Sequence, residues 1–181
     1  EENGRAHFLT KRFDRENGRK IHMQTLCGMA HYDFRLKNGH SYEQAFNVMR
    51  RLRLPYSQAQ EMFRRIVFNV VVRNQDDHTK NISFLMDSSG QWSLSPAYDM
   101  GFAYNPLGAW TATHQMSING KFDNITRADL LSLANANNIK NASEIIDQVC
   151  ETTAGWPELA KNCGVPQKMI DGIVPHMLLS I

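Results

Sequence analysis

The sequence predicts an α+β fold, predominantly helical, with one small β-hairpin set among the helices. Three observations carry that reading. In "YSQAQEMFRRIVFNVVVR" (56–73), Met62, Phe63, Ile66, Val67, Val70 and Val71 recur at helical spacing and form a wide apolar stripe, the mark of a central helix. "ISFLM" (82–86) and "QWSLS" (91–95) flank the turn "DSSG" and read as two short strands. Beyond residue 125 the chain returns to helical segments. With 181 residues, 42% of them hydrophobic, the chain supports one well-packed core, so residues 1–181 are expected to form a single domain.

Taken in order, "AHFLTKRF" (6–13) is a strand-like run, and the polar "DRENGRK" after it holds a turn at Asn17-Gly18. "IHMQTLCGMAH" is apolar with no clear period. "SYEQAFNVMRRL" (41–52) is a helix capped by Ser41, with Ala45, Val48, Met49 and Leu52 on one face, and Pro55 breaks it. The 56–73 helix is expected to open at Ser57 and Glu61. A charged loop fills 74–80, the hairpin follows, and 96–106 is irregular. In "TRADLLSLANANN", Thr126 and Asp129 make a capping-box analogue with the shorter acid. "NASEIIDQVCETTAGW" and "PQKMIDGIVPHMLL" complete the helices.

The net charge of +2 does not by itself demand nucleic acid or a membrane. The charge is uneven, however: residues 1–73 carry 14 Lys/Arg against 7 Asp/Glu, and residues 74–181 carry 6 against 11. The basic first part fits a solvated helix face or contact with phosphates. Cys27, Cys150 and Cys163 share no metal-ligand spacing and read as free thiols of a reducing, cytoplasmic setting. No apolar run approaches the roughly 20 residues that span a bilayer.

Charge concentrates in "VVRNQDDHTKNISFLMDSSGQWSLSPAYDMGF" (71–102). Asp76 and Asn81 stand five residues apart on the loop leaving the apolar helix, and Asp99 follows beyond the hairpin. An acid, an amide five residues on and a second acid after a hairpin suit phosphoryl transfer from ATP. The first acid orients the acceptor hydroxyl and takes its proton, and the amide and second acid offer the hard oxygens that Mg²⁺ prefers. Each residue also has an ordinary reading: Asp76 as a helix-end turn residue, Asp99 as a turn acid. His22, His31, His40 and His114 match no acid or cysteine spacing and read as structural histidines.

In these residues the sequence resembles the protein-kinase-like superfamily, whose catalytic loop and D-F-G turn correspond to Asp76/Asn81 and to "DMG". "DDHTKNI" is similar to the loop of lipid-kinase-like members and closest to the D-x-H-x-K-N loop of the HipA family of bacterial serine/threonine kinase toxins, with its downstream P-x-Y-D. "RFDR" (12–15) resembles the HipA-family crossing between lobes, and "IHMQTLCGMAHYDF" the stretch after it. The resemblance implies a kinase-like C-lobe in which the hairpin carries the metal-binding loop. It implies Asp76 as catalytic base, Asn81 and Asp99 as Mg²⁺ ligands, Lys80 at the γ-phosphate and His78 bracing the loop. Lys11, Phe13 and Asp14 would lie at the ATP adenine edge, although Lys11 stands where some members carry an acid. Asp77 stands where the family often has Gly, so its side chain is expected to face solvent or the surroundings of the substrate hydroxyl.

The Gly-rich loop and strand lysine that clamp the nucleotide in kinases are not found in these residues. The resemblance places them in an N-lobe upstream, with 1–15 as hinge or interlobe strand, and makes this piece alone weakly active or inactive. It also implies a serine of a protein substrate, glutamyl-tRNA synthetase for the best-known type, a HipB-like DNA-binding antitoxin, and indirect DNA contact. Other readings of the same residues are a small-molecule or lipid kinase, a pseudokinase that binds a partner, and, more distantly, a two-metal nuclease on Asp76, Asp77, His78 and Asp99.

Overall fold

The structure, a computed structural model, describes residues 7–181. Arg15–Glu16 (β1) and Arg19–Lys20 (β2) form a minimal antiparallel ladder across Asn17 and Gly18, both at positive φ, as that dipeptide predicts. Residues 7–12 carry no strand, a departure from the expected run over 6–13, whose first residue lies outside the described ones. Phe8 and Leu9 are more than nine-tenths exposed, so no neighbouring strand supplies the ladder that an extended segment needs.

The periodless "IHMQTLCGMAH" splits into His22–Thr25 (β3) and the helix Leu26–Ala30 (α1), capped by the Thr25 side chain on the Gly28 amide. His40–Ser41 (β4) leads straight into Tyr42–Arg51 (α2), where Ser41 and Gln44 form a reciprocal capping box. Tyr56–Val71 (α3) starts differently from expectation. Its cap is Pro55, whose fixed φ suits a helix entrance, and Ser57 lies inside the first turn without capping. The stripe itself is buried as expected: all six apolar positions are at most 1% exposed.

The hairpin is Ser83–Met86 (β5) and Trp92–Leu94 (β6), and β3 adds an antiparallel third strand to give the order β3-β5-β6. Met116–Ser117 (β7) pairs in parallel with β4, His40 opposite Met116 and Ser41 opposite Ser117. That short pairing matters because it sets the start of α2 beside residues 114 and 115. The remaining helices are Arg127–Ala136 (α4), with the Thr126/Asp129 capping box in place, Ala142–Ala154 (α5), Trp156–Asn162 (α6) and Gln167–Ile173 (α7), followed by a 3₁₀ turn at Val174–His176.

α3 packs along α5, and Tyr42, Phe46, Phe63, Phe84, Leu130 and Ile145 join the apolar cluster around them. The three cysteines are free thiols. Among the described residues no helix is long and apolar enough to cross a membrane. The charged loop leaves the buried end of α3, so one end of it is set by the core.

Candidate active site

The loop is suspended at several points. Arg73 turns the chain off α3 at positive φ, and Asn74 donates its amide to Asn69 O. Gln75 N donates to Ala103 O and Ala103 N to Arg73 O, which ties the loop to the segment after Asp99. At its far end Cys27 N donates to Thr79 O and Thr79 Oγ1 to Tyr32 O, hanging the loop from α1. Asn81 closes it: its amide donates to His78 O at 2.9 Å and its side-chain Nδ2 to Asp76 O at 2.8 Å. With Nδ2 engaged, Oδ1 is the atom Asn81 keeps for a ligand. The Asp76 side chain is about half exposed.

The hairpin returns the chain to this loop. Ser95 N donates to Ser83 O across its base, and two residues past Pro96 the Tyr98 hydroxyl donates to Lys80 O at 2.5 Å. Asp99 follows at positive φ, exposed, its carbonyl 3.4 Å from Asn74 Nδ2. A cleft of about 420 Å³ brings Asp99 together with Lys11, Phe13, Asp14 and Tyr98. Phe13 and Tyr98 stack obliquely there, 5.8 Å between ring centres.

Other expected residues are placed as follows. Lys80 Nζ sits 4.1 Å above the Phe34 ring, an exposed cation resting on an aromatic face. His78 packs edge-on against the same ring, and its Nε2 lies 3.9 Å from Asp76 Oδ1, too far for a hydrogen bond. The Asp14 carboxylate is clamped by Arg12, at 2.8 and 2.6 Å, and by Arg15 at 2.5 Å. The Arg12 hydrogen bond above all, with the charges of both arginines, lowers its pKa to about 2. Its side chain is thus committed within the chain.

Asp77 contradicts its expectation. It does not face solvent: its side chain is 1% exposed and accepts three hydrogen bonds. Tyr42 Oη donates at 2.6 Å, His114 Nδ1 at 2.8 Å and the Gln115 amide at 2.7 Å. Adjacent residues of an extended loop point opposite ways, so the loop turns Asp76 outward and Asp77 inward. The Tyr42 phenol is pushed well above its ordinary pKa, first by burial and then by the charge of Asp77, and so stays a donor. Tyr42 Oη accepts from Asn69 Nδ2 at 3.0 Å, and Asn69 Oδ1 accepts from Asn74 Nδ2 at 2.9 Å. Sequence reasoning passed over these five partners. One signal was legible: Asn69 interrupts the apolar face of α3, three residues from Ile66.

Among the described residues no three His, Cys, Asp or Glu side chains gather as a metal cage. Asn81 Oδ1 and the half-exposed Asp76 carboxylate on the loop, with the exposed Asp99 carboxylate on the turn after the hairpin, are hard-oxygen donors. Such a sparse set fits Mg²⁺, which keeps waters and takes substrate phosphate oxygens as ligands.

The fold is thus a three-stranded sheet beside a helical core, with the acid–amide loop between α3 and β5. The fold superposes on a chain of the Shewanella oneidensis MR-1 toxin–antitoxin complex of HipA, HipB and operator DNA, with a TM-score of 0.62 over 82% of this chain and 39% of that one, at 22% identity. The HipA-like C-terminal domain family matches residues 1–156, and the chain belongs to that family. Y4dM of Sinorhizobium fredii, whose name marks it as a candidate kinase, is 30% identical over 175 residues, 92% of this chain and 42% of its own length. A similarly named Haemophilus influenzae protein is 32% identical over 103 residues, 51% of this chain and 29% of its own. The chain therefore spans less than half the length of these relatives.

Proposed function

We propose that the chain is the catalytic-loop lobe of a Mg²⁺/ATP-dependent serine/threonine protein kinase of the HipA toxin type. The observation that carries this is the closed loop in which Asn81 Nδ2 holds Asp76 O, with the hairpin returning Asp99 to it through the Tyr98–Lys80 bond. Asp76, half exposed at the loop, accepts the proton of the substrate hydroxyl as that oxygen bonds to the γ-phosphorus. The bond from the γ-phosphorus to the bridging oxygen breaks and ADP leaves. Asn81 Oδ1 and Asp99 are the residues that would hold Mg²⁺, and the ion would supply charge neutralisation at the phosphates. Lys80 swings from Phe34 to the γ-phosphate as a mobile point charge. His78 braces the loop by packing on Phe34.

Lys11 and Phe13 meet the adenine edge through backbone groups, and Asp14 orders that segment through its arginines. The parts that clamp the nucleotide from above are not supplied by these residues, and the lobe by itself transfers little phosphate. The Shewanella neighbour belongs to a complex of HipA with HipB and operator DNA, and a HipB-like antitoxin is the partner this reading assigns, with a protein hydroxyl as acceptor.

The test uses the full-length protein with Mg²⁺ and ATP, and mass spectrometry of the protein itself and of a cell lysate. Added phosphate is expected on serine or threonine, and Asp76→Ala is expected to reduce transfer by about 10²–10⁴-fold, the usual range for a lost general base. Asp99→Ala is expected to abolish it at ordinary Mg²⁺ concentrations. A folded full-length protein that neither binds ATP nor transfers phosphate overturns the reading in favour of a partner-binding lobe.

A further inference from the structure

We infer that Asp77, Tyr42, Asn69 and Asn74 form a buried polar relay that positions the Asp76 loop against the Asp99 turn; the inference rests on the kinase reading above. The relay is continuous. Asp77 Oδ2 accepts from Tyr42 Oη at 2.6 Å, Tyr42 Oη accepts from Asn69 Nδ2 at 3.0 Å, and Asn69 Oδ1 accepts from Asn74 Nδ2 at 2.9 Å. Asn74 Nδ2 then reaches the carbonyl of Asp99 at 3.4 Å. One end of the chain of bonds is the residue after the proposed base. The other end is the backbone of the proposed metal ligand.

Three features separate this from ordinary core filling. Its members are buried, from 1% exposure at Tyr42 to 8% at Asn69, where a polar group survives only with its partners satisfied. They come from four places in the chain: the start of α2, the interior of α3, the turn after α3 and the loop. Tyr42 and the two further donors to Asp77, His114 and the Gln115 amide, meet there because the parallel pairing of β4 with β7 sets residues 40–42 beside 114–117. Finally, the relay touches no proposed reacting atom directly. Asp77 is thus a positioning residue: it fixes where the Asp76 backbone runs, while Asn74 fixes the Asp99 turn. Phosphoryl transfer depends on such placement, since an error of about 1 Å at the reacting groups costs on the order of 100-fold in rate.

The experiment compares the full-length protein with Asp77→Asn and Asn69→Leu. Asp77→Asn keeps size and an acceptor for the Gln115 amide while removing the carboxylate. Asn69→Leu cuts the relay at its middle, on α3 rather than on the loop itself, and serves if the first variant fails to fold. Steady-state kinetics are expected to show kcat lowered by about 10–100-fold with the KM for ATP within about threefold, the pattern of misplaced chemistry rather than lost binding. Amide hydrogen exchange is expected to speed at Asn74, Gln75, Asn81 and Ala103 while the β5–β6 hairpin and α5 stay protected. Unchanged exchange at those four amides overturns the inference, as does uniform loosening of the whole chain or an unchanged kcat. If the unaltered protein transfers no phosphate, the kinase reading falls, and the exchange pattern alone then decides whether the relay holds the two segments together.

Discussion

Asp77 and Asp14 are both carboxylates fully engaged by donors, and they are held in opposite ways. Asp77 lies in the interior and takes its three hydrogen bonds from a phenol, an imidazole and a backbone amide supplied by distant parts of the chain. Asp14 lies under two arginines one and two residues away, and the Arg12 side chain covering it is itself 65% exposed. The first arrangement exists only when α2, α3 and the 114–115 segment have folded around it. The second is local and requires nothing else. The loop at 74–81 therefore inherits the rigidity of the core, whereas the 12–15 segment carries a surface clamp that salt can loosen. That division suits the kinase site proposed above, in which the reacting groups must hold still and the nucleotide edge needs only shape.

The largest way to break the comparison is Asp77→Leu. It strands three buried donors, and at the usual cost of about 1–3 kcal/mol for each unsatisfied group the expected loss is about 4 kcal/mol, read as a lowered midpoint in urea with an unchanged slope. A loss near zero would mean that water reaches the donors and that the loop is not core-held.

Tyr42→Phe removes one donor and leaves Asn69 short of an acceptor, for which about 1–2 kcal/mol is expected by the same measurement. Its pH signature is more specific. The folded phenol keeps its proton to higher pH than the unfolded one, so its contribution is intact below about pH 10 and is lost as pH rises beyond that. Tyr98, whose phenol is also raised by burial, adds a slope of the same sign. The variant is expected to flatten the alkaline fall without abolishing it.

The smallest effect belongs to Asp14. Its carboxyl is lowered from 3.8 to about 2, so the clamp contributes above about pH 4 and is lost as pH falls from there to about 2. A carboxyl NMR titration is expected to return that midpoint, to move it up toward the ordinary value in Arg12→Ala, and to move it the same way in high salt. Neither change should alter hydrogen exchange at Asn81.

Much of this was legible because it is local. The six-residue stripe of α3 is a periodicity, the Ser41 and Thr126 caps are short patterns, and the hairpin announces itself by its turn. The acid–amide spacing of Asp76 and Asn81 could be read for the same reason. Most of what escaped depends on long-range pairing. The partner of β5 includes β3, and residues 7–12 form no strand because nothing pairs with them; the cap of α3, Pro55 rather than Ser57, is by contrast a local miss, since Pro55 was read only as the breaker of the preceding helix. Asp77 was read outward since its donors lie 35 residues before it and 37–38 after it, and no local pattern links Tyr42 to His114. His114 was read as structural, and it is, but its acid partner was out of sight.

The central claim is that Asn81 and Asp99 face one metal–nucleotide complex. Adding Mn²⁺ and ATP to the full-length protein and recording amide NMR spectra tests it directly, since the paramagnetic ion broadens only nearby signals. The account predicts that residues 76–81 and 98–101 broaden together and that Asp99→Ala removes both effects. Broadening of one segment without the other, or of neither, would contradict it.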